Sequence, residues 1–238
     1  MPAAWELLEI RRNRVLMVSI CAPDARVTRD WARMLRRLEL PPSSAIQDVD
    51  GLPYHAARNL GAKIALDGDF GYLFFLDADT LPLHDMVTKL IATGRDLVGG
   101  MYFRRFPPYD PSSGMAVVDA TGKVGVSTNL PPHSPGDILP VDFLSDGATL
   151  ISRRCLLEMF RNFPRPFDWG YDIAPVPDIG GGTIPAFSED FIFSYRAKQV
   201  GFQPWLHTGL RCGHELNMVV TTLGPKTPQE YRDKYVGY

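Results

Sequence analysis

The sequence predicts an α/β fold in which helices cover both faces of a sheet. Three observations carry that expectation. Apolar extended runs alternate with amphipathic helical ones as β-α-β-α-β-α-β over roughly the first hundred residues, the order that layered α/β folds require. The stretch Tyr72-Leu-Phe-Phe-Leu-Asp77 sets five apolar residues in a row, which suits a strand buried on both faces. Two carboxylates, Asp77 and Asp79, follow at once, at the carboxyl end of that strand, where open α/β sheets bind ligands.

The elements follow in order. Arg14-Val-Leu-Met-Val-Ser-Ile-Cys21 reads as the first buried strand, and Ala22-Pro23-Asp24 as the turn after it. Thr28 is placed to cap a helix whose apolar face is Trp31, Met34, Leu35 and Leu38, stopped by Pro41-Pro42. A short strand over 45–49 precedes a helix from Pro53 to Leu66, and Gly68 and Gly71 turn the chain into the strand at Tyr72. Beyond Pro82, Met86, Val87, Leu90 and Ile91 make another amphipathic helix, and 96–103 reads as a strand.

From Arg104 to Pro140 prolines and glycines punctuate an excursion in which only 115–118 and 123–126 look extended. Val141 to Ile151 reads as strand, glycine turn and strand, followed by a helix over about 154–160. The proline- and glycine-rich stretch 161–187, with Trp169, Tyr171 and a triple glycine at 180–182, is expected to be a binding loop or lid. Ser188-Glu189-Asp190 opens a helix to about Val200, with acids where the helix dipole favours them. A strand over 202–206 and Cys212-Gly213-His214 close the ordered part, and the remainder reads as a peripheral tail.

At 238 residues the chain suits one large domain, and its 45% apolar and 22% charged content is that of a soluble globular protein. A net charge of −2 supplies no global attraction for nucleic acid or an anionic membrane. Arginines at 11, 12, 14, 29, 33, 36 and 37 read as solvated helix faces. Cys21, Cys155 and Cys212 are odd in number and lack a CxxC spacing, which points to a reducing compartment. The first residues carry acids where a signal peptide needs a basic region, and Val15 to Ala22 is too short to span a bilayer. The expectation is a soluble, cytoplasmic protein without a transmembrane segment.

A pair of acids at a strand end packs poorly but suits a divalent cation held jointly by carboxylates and phosphate oxygens. Asp77 and Asp79 are therefore the candidate metal–diphosphate site. Taken together, Val15–Cys21, Ala57-Arg58-Asn59-Leu-Gly, Phe75-Leu-Asp77-Ala-Asp79, Gly147-Ala-Thr-Leu-Ile-Ser-Arg153, Ser188-Glu189-Asp190 and Cys212-Gly-His214 resemble a GT-A glycosyltransferase. The similarity is to small phage and bacterial members of the family-2-like group, over roughly residues 14–214. It implies a GT-A fold, a Rossmann-like, mixed and mostly parallel sheet with helices on both faces. One domain would fill 1–238, with a nucleotide-binding half at 14–103, an acceptor-side half at 104–214 and a tail at 215–238.

The resemblance further implies a UDP- or GDP-type nucleotide-sugar donor, Mn²⁺ or Mg²⁺, and transfer to an acceptor hydroxyl on a glycan, a protein or a modified DNA base. Asp79 would ligate the metal, Asp77 would reach the ribose or the metal through water, and His214 would be the third ligand. Arg58 and Asn59 would bind nucleotide or phosphates, with Ala22 beside the nucleotide. The base-reading acid falls on Asp48 or Asp50. The backbone of Gly147 and Ala148 would line the donor-sugar pocket. Asp190 is read as general base and Glu189 as the residue orienting the acceptor. Two other readings stand beside this one. Asp77 and Asp79 also fit the first motif of haloacid-dehalogenase-type phosphatases, with Asp77 as nucleophile and a later lysine such as Lys198. The chain could also bind a sugar nucleotide without turning it over. A DNA acceptor would need a basic track, to which Arg104, Arg105, Arg153 and Arg154 could contribute.

Overall fold

The most apolar strands lie side by side at the centre of the sheet. The computed structural model describes residues 12–21, 27–169 and 187–215, with the strand backbone at 219–221 and 224–226. In chain order the elements are β1 (Val15–Ile20), α1 (Arg29–Leu35), β2 (Ala45–Val49), α2 (Tyr54–Asp67), β3 (Tyr72–Asp77), β4 (Thr80–Leu81), α3 (Met86–Ala92) and β5 (Leu97–Met101). The second half adds β6 (Met115–Val118), β7 (Val124–Ser127), β8 (Ile138–Pro140), β9 (Ala148–Ser152), α4 (Arg153–Asn162), α5 (Glu189–Gln199), β10 (Trp205–Arg211) and β11 (Gly213–His214). Two short strands follow, β12 (Val219–Thr221) and β13 (Gly224–Lys226).

Seven strands form the main sheet in the order β2-β1-β3-β9-β5-β10-β8. β2, β1, β3, β5 and β10 run one way, and β9 and β8 run against them. The sheet is thus mixed and mostly parallel, as expected from the sequence. Helices cover both faces. Ala57, Ala62 and Ala65 of α2, with residues of α4 and α5, pack against Leu16, Val18 and Phe75. Gly61 lets α2 approach closely, since a Cβ there would lie 3.0 Å from the Val18 side chain. On the other face, Trp31 and Met34 of α1 and Met86, Val87 and Leu90 of α3 pack against Met17, Phe74 and Val98.

Several boundaries differ from the sequence expectation for identifiable reasons. Of the strand, glycine turn and strand expected over 141–151, only the second strand forms, from Ala148. Residues before it bridge instead to the excursion, where Phe143 pairs with Gly114. β9 then inserts antiparallel between β3 and β5. β8 ends on a proline and pairs only with β10 at the sheet edge, which is where proline is tolerated in a sheet. The stretch expected as a peripheral tail contributes β12 and β13 to a small sheet ordered β13-β12-β11-β4. Among the described residues no helix is long and apolar enough to cross a membrane. All three cysteines are buried and unpaired.

Candidate active site

β1 and β3 end level with each other, Ile20 opposite Asp77, so Asp77 leaves the sheet at its carboxyl edge. A tight turn carries the chain through Asp79 into β4, which pairs antiparallel with β11 and sets Thr80 opposite His214. That two-residue ladder brings His214 to Asp79, with Nε2 3.5 Å from Oδ1. The Glu215 amide donates to the Asp79 carbonyl at 2.7 Å and fastens the same junction. His214 Nδ1 lies 2.8 Å from the Phe103 carbonyl oxygen. A carbonyl only accepts, so Nδ1 carries the proton and Nε2 presents its lone pair.

One guanidinium spans that pair. Arg105 Nε donates to His214 Nε2 at 2.8 Å, and Arg105 Nη2 bonds Asp79 Oδ2. Burial alone would raise the Asp79 carboxyl, but its hydrogen-bonding and charged neighbours outweigh it and hold the carboxyl below its ordinary value.

A second guanidinium organises the acids behind the turn. Arg58, on α2, is only 2% exposed. Its Nε donates to Glu189 Oε1 at 3.0 Å and its Nη2 to Asp77 Oδ1 at 3.1 Å, with Asp146 Oδ2 at 3.9 Å from Nε. Burial pushes the Asp77 carboxyl up against the pull of Arg58. Asp146, fully enclosed, is pushed well above the carboxylate range by burial in spite of Arg58, and its Oδ2 has no hydrogen-bond partner. Asp190, beside Glu189 in the first turn of α5, receives the Phe191 amide at 2.8 Å and the Ser188 hydroxyl on Oδ1. Burial and the neighbouring Glu189 push it up to about 6.

Of these groups, Arg58, Asp77, Asp79, Arg105, Glu189 and Asp190 line a cavity of about 440 Å³, within the usual range for small-molecule sites. Ile20 and the Asp77–Asp79 turn form one wall, Tyr54 and Arg58 a second, and Ser188–Asp190 a third, with Arg105 and Trp169 completing it. Trp169 is 43% exposed and its indole donates to His55 Nδ1 at 3.1 Å.

The structure brings Asp77, Asp79, Arg58, His214, Glu189 and Asp190 together from four separated stretches. It also alters several roles read from the sequence. Among the described residues no group of three or more His, Cys, Asp or Glu side chains is gathered to hold a metal. Asp77 is withdrawn from the expected Asp77–Asp79–His214 set because Arg58 holds its carboxylate. Asn59 is turned to the backbone of Phe167, donating to its carbonyl at 2.5 Å and receiving its amide at 3.2 Å. That is a packing clamp, not a phosphate contact.

Gly147 and Ala148 lie outside the cavity wall. The Gly147 amide donates to the Tyr102 hydroxyl at 3.0 Å, and Ala148 is fully buried in β9 opposite Leu76. Asp48 is exposed on the edge strand β2, opposite Ser19. With Asp50 it helps burial push the Cys21 thiol up to about 11, which places both acids near the carboxyl end of β1. Ala22, Tyr171 and the triple glycine at 180–182 lie outside the described residues.

Arg153 and Arg154 pair with Asp69 and Asp96, directly after Ser152, which sits opposite Tyr72 at the far end of β3 from Asp77. They share no track with Arg105. Lys198 is bonded to Asp142 and does not serve Asp77 as the phosphatase reading requires. Sequence reasoning placed Arg105 only on a possible basic track for DNA, and gave no side-chain role in this site to Tyr54 or Asp146. The first lies in a proline-rich stretch with no periodicity to place it, and the other two offer only residue type.

No protein-family model and no curated protein matches the chain. Among solved structures, A197 from STIV aligns with a TM-score of 0.59 at 16% identity, over 87% of this chain and 90% of A197. GalNAc-T7 solved with UDP, GalNAc and Mn²⁺ aligns with a TM-score of 0.47 at 13% identity, over 84% of this chain and 43% of its own length. At these identities the likeness is one of fold.

Proposed function

We propose that the chain is a glycosyltransferase that moves a sugar from a nucleotide-diphosphate donor to an acceptor hydroxyl. The observation that carries this reading is one cavity at the carboxyl edge of β1 and β3 whose wall holds two different devices: Asp79, with His214 beside it, and the raised carboxyl of Asp190. The first suits a diphosphate leaving group and the second suits an acceptor proton.

The donor set fits a divalent cation of the Mn²⁺ or Mg²⁺ class. Asp79 offers a carboxylate, and His214 offers an imidazole nitrogen oriented by the Phe103 carbonyl, the arrangement usual for ligating histidines. A guanidinium already stands between the two as a cation in place. Two protein ligands are enough where phosphate oxygens and water complete the shell. A cation held by Asp79 and His214 would neutralise the charge that grows on the departing diphosphate.

The remaining steps belong to side chains of this chain. Asp190, at about 6, is mostly ionised at neutral pH yet basic enough to take a proton. It removes the proton of the acceptor hydroxyl as that oxygen bonds to the anomeric carbon. The bond from that carbon to the diphosphate oxygen breaks, and the nucleotide diphosphate leaves. Arg58 and Glu189 hold the acids of the two halves in register, and Tyr54 and Trp169 offer aromatic surface to the ligands.

The test is a thermal-shift and turnover screen of UDP- and GDP-sugars with and without Mn²⁺. A donor should raise the melting temperature in the presence of Mn²⁺, and Asp79→Ala should abolish the rise. Absence of binding and turnover with every donor would end this reading. Phosphate release from simple phosphomonoesters that Asp77→Asn abolishes would replace it with the phosphatase reading.

A further inference from the structure

We infer that Arg105 and a divalent cation are alternative occupants of the same place, the gap between Asp79 and His214, and that metal entry releases the Arg105 guanidinium to the diphosphate. The inference rests on the sugar-transfer reading for its diphosphate but not for its competition.

The two atoms best suited to a cation are both engaged by one side chain. Arg105 Nε donates to the Nε2 lone pair of His214 at 2.8 Å, and Nη2 bonds Asp79 Oδ2. With Nδ1 donating to the Phe103 carbonyl and Nε2 receiving the Arg105 Nε–H, Nε2 serves here as acceptor or ligand. A lone pair serves either an N–H or a metal, so the two occupants exclude each other. Arg105 and Asp79 are partly open, 38% and 31%, while His214 is buried, so the Arg105–Asp79 ion pair holds the guanidinium only modestly and it can be displaced.

The release has somewhere to go. Arg105 itself lines the cavity, on a segment held at its base by the Arg104 amide to the Asp110 carbonyl, 2.8 Å, and by the Phe103–Pro111 bridge. Its flexible side chain can turn from Asp79 into the cavity while that backbone stays put. Acids outnumber arginines around the cavity, so a diphosphate entering it gains from a cation at Asp79–His214 and a freed guanidinium together. The device makes the site cationic toward phosphate only once metal is present.

Calorimetry of the full-length chain with MnCl₂ alone, and then with inorganic pyrophosphate at saturating Mn²⁺, separates this from a structural role. Arg105→Gln should bind Mn²⁺ at least about threefold more tightly than the unaltered chain, since a competing ion pair is gone. It should bind pyrophosphate more weakly. Arg105→Lys, which keeps the charge but loses the two-pronged donor, should fall between. Effects of opposite sign are the signature, because a merely structural arginine would weaken both. Unchanged or weaker Mn²⁺ binding in Arg105→Gln, with an unchanged melting temperature, overturns the inference, as does absence of Mn²⁺ binding in both proteins. If Mn²⁺ tightens as expected while no nucleotide sugar is turned over, the competition stands and the sugar-transfer reading falls.

Discussion

Replacing Arg58 with methionine would remove the one positive charge that, among the described residues, touches three buried or half-buried acids, Asp77, Asp146 and Glu189. The guanidinium is 2% exposed, so water cannot take its place. Losing one partner of a buried ion pair costs about 3–5 kcal/mol, which for a chain of this size corresponds to a fall in Tm of roughly 6–20 °C.

The pH dependence carries a sign. Burial already pushes Asp77 and Asp146 up against the pull of Arg58, and without Arg58 both go higher. A carboxyl whose folded value exceeds its unfolded one withdraws stability as pH rises through that interval and restores it as pH falls. The gap between Arg58→Met and the unaltered chain should therefore narrow between about pH 7.5 and about pH 5. Thermal denaturation at the two pH values reads it, alongside the double variant Arg58→Met/Glu189→Gln, which should recover part of the loss. A loss of less than ~1 kcal/mol at the higher pH would place Arg58 among exposed pairs of little worth. A gap unchanged by pH would show that the cost lies in packing over Phe75 and not in uncompensated charge.

The remaining expectations are shorter. Asp190→Asn should lower the transfer rate by about 10²–10⁴-fold and leave donor binding by thermal shift nearly unchanged. Because the Asp190 carboxyl is pushed up to about 6, the rate should rise with pH up to that value and level above it, and Asp190→Asn should lose this limb. Gly147→Ala would put a Cβ 2.7 Å from Tyr102 Cζ and 3.0 Å from Thr80 Oγ1. Such overpacking costs about 1–3 kcal/mol, read as a lowered Tm, and an unchanged Tm would show that Tyr102 yields freely.

The parts of the molecule legible in the sequence share a physical origin. β1 and β3 are continuous apolar runs, and the N-cap at Thr28 is a local chemical signal, its hydroxyl accepting from the Trp31 amide at 3.0 Å. Such features need no knowledge of partners. Asp79 and Asp190 could be singled out because acids sit where a strand ends and a helix starts, and His214 through the family resemblance. Their partners could not. Nothing local in Ala57-Arg58-Asn59 says that the arginine turns inward to three acids while the asparagine clamps Phe167, 108 residues away. Nothing in the Arg104–Pro140 excursion says that Arg105 reaches back to Asp79. The role expected of Gly147 failed for the same reason, since the Tyr102 ring that fills the space beside it comes from β5's continuation and not from its own neighbourhood.

The ladder joining β4 to β11 is only two rungs long, yet its register decides on which side of β11 the His214 imidazole stands. Side chains alternate sides along a strand, so a slip by a single position would turn that ring away from Asp79 and present Gly213 or Glu215 in its stead. Insertions or deletions of one residue between Trp205 and Gly213 should therefore be far more harmful than substitutions there. Two-residue changes, which preserve the parity, should be the milder ones.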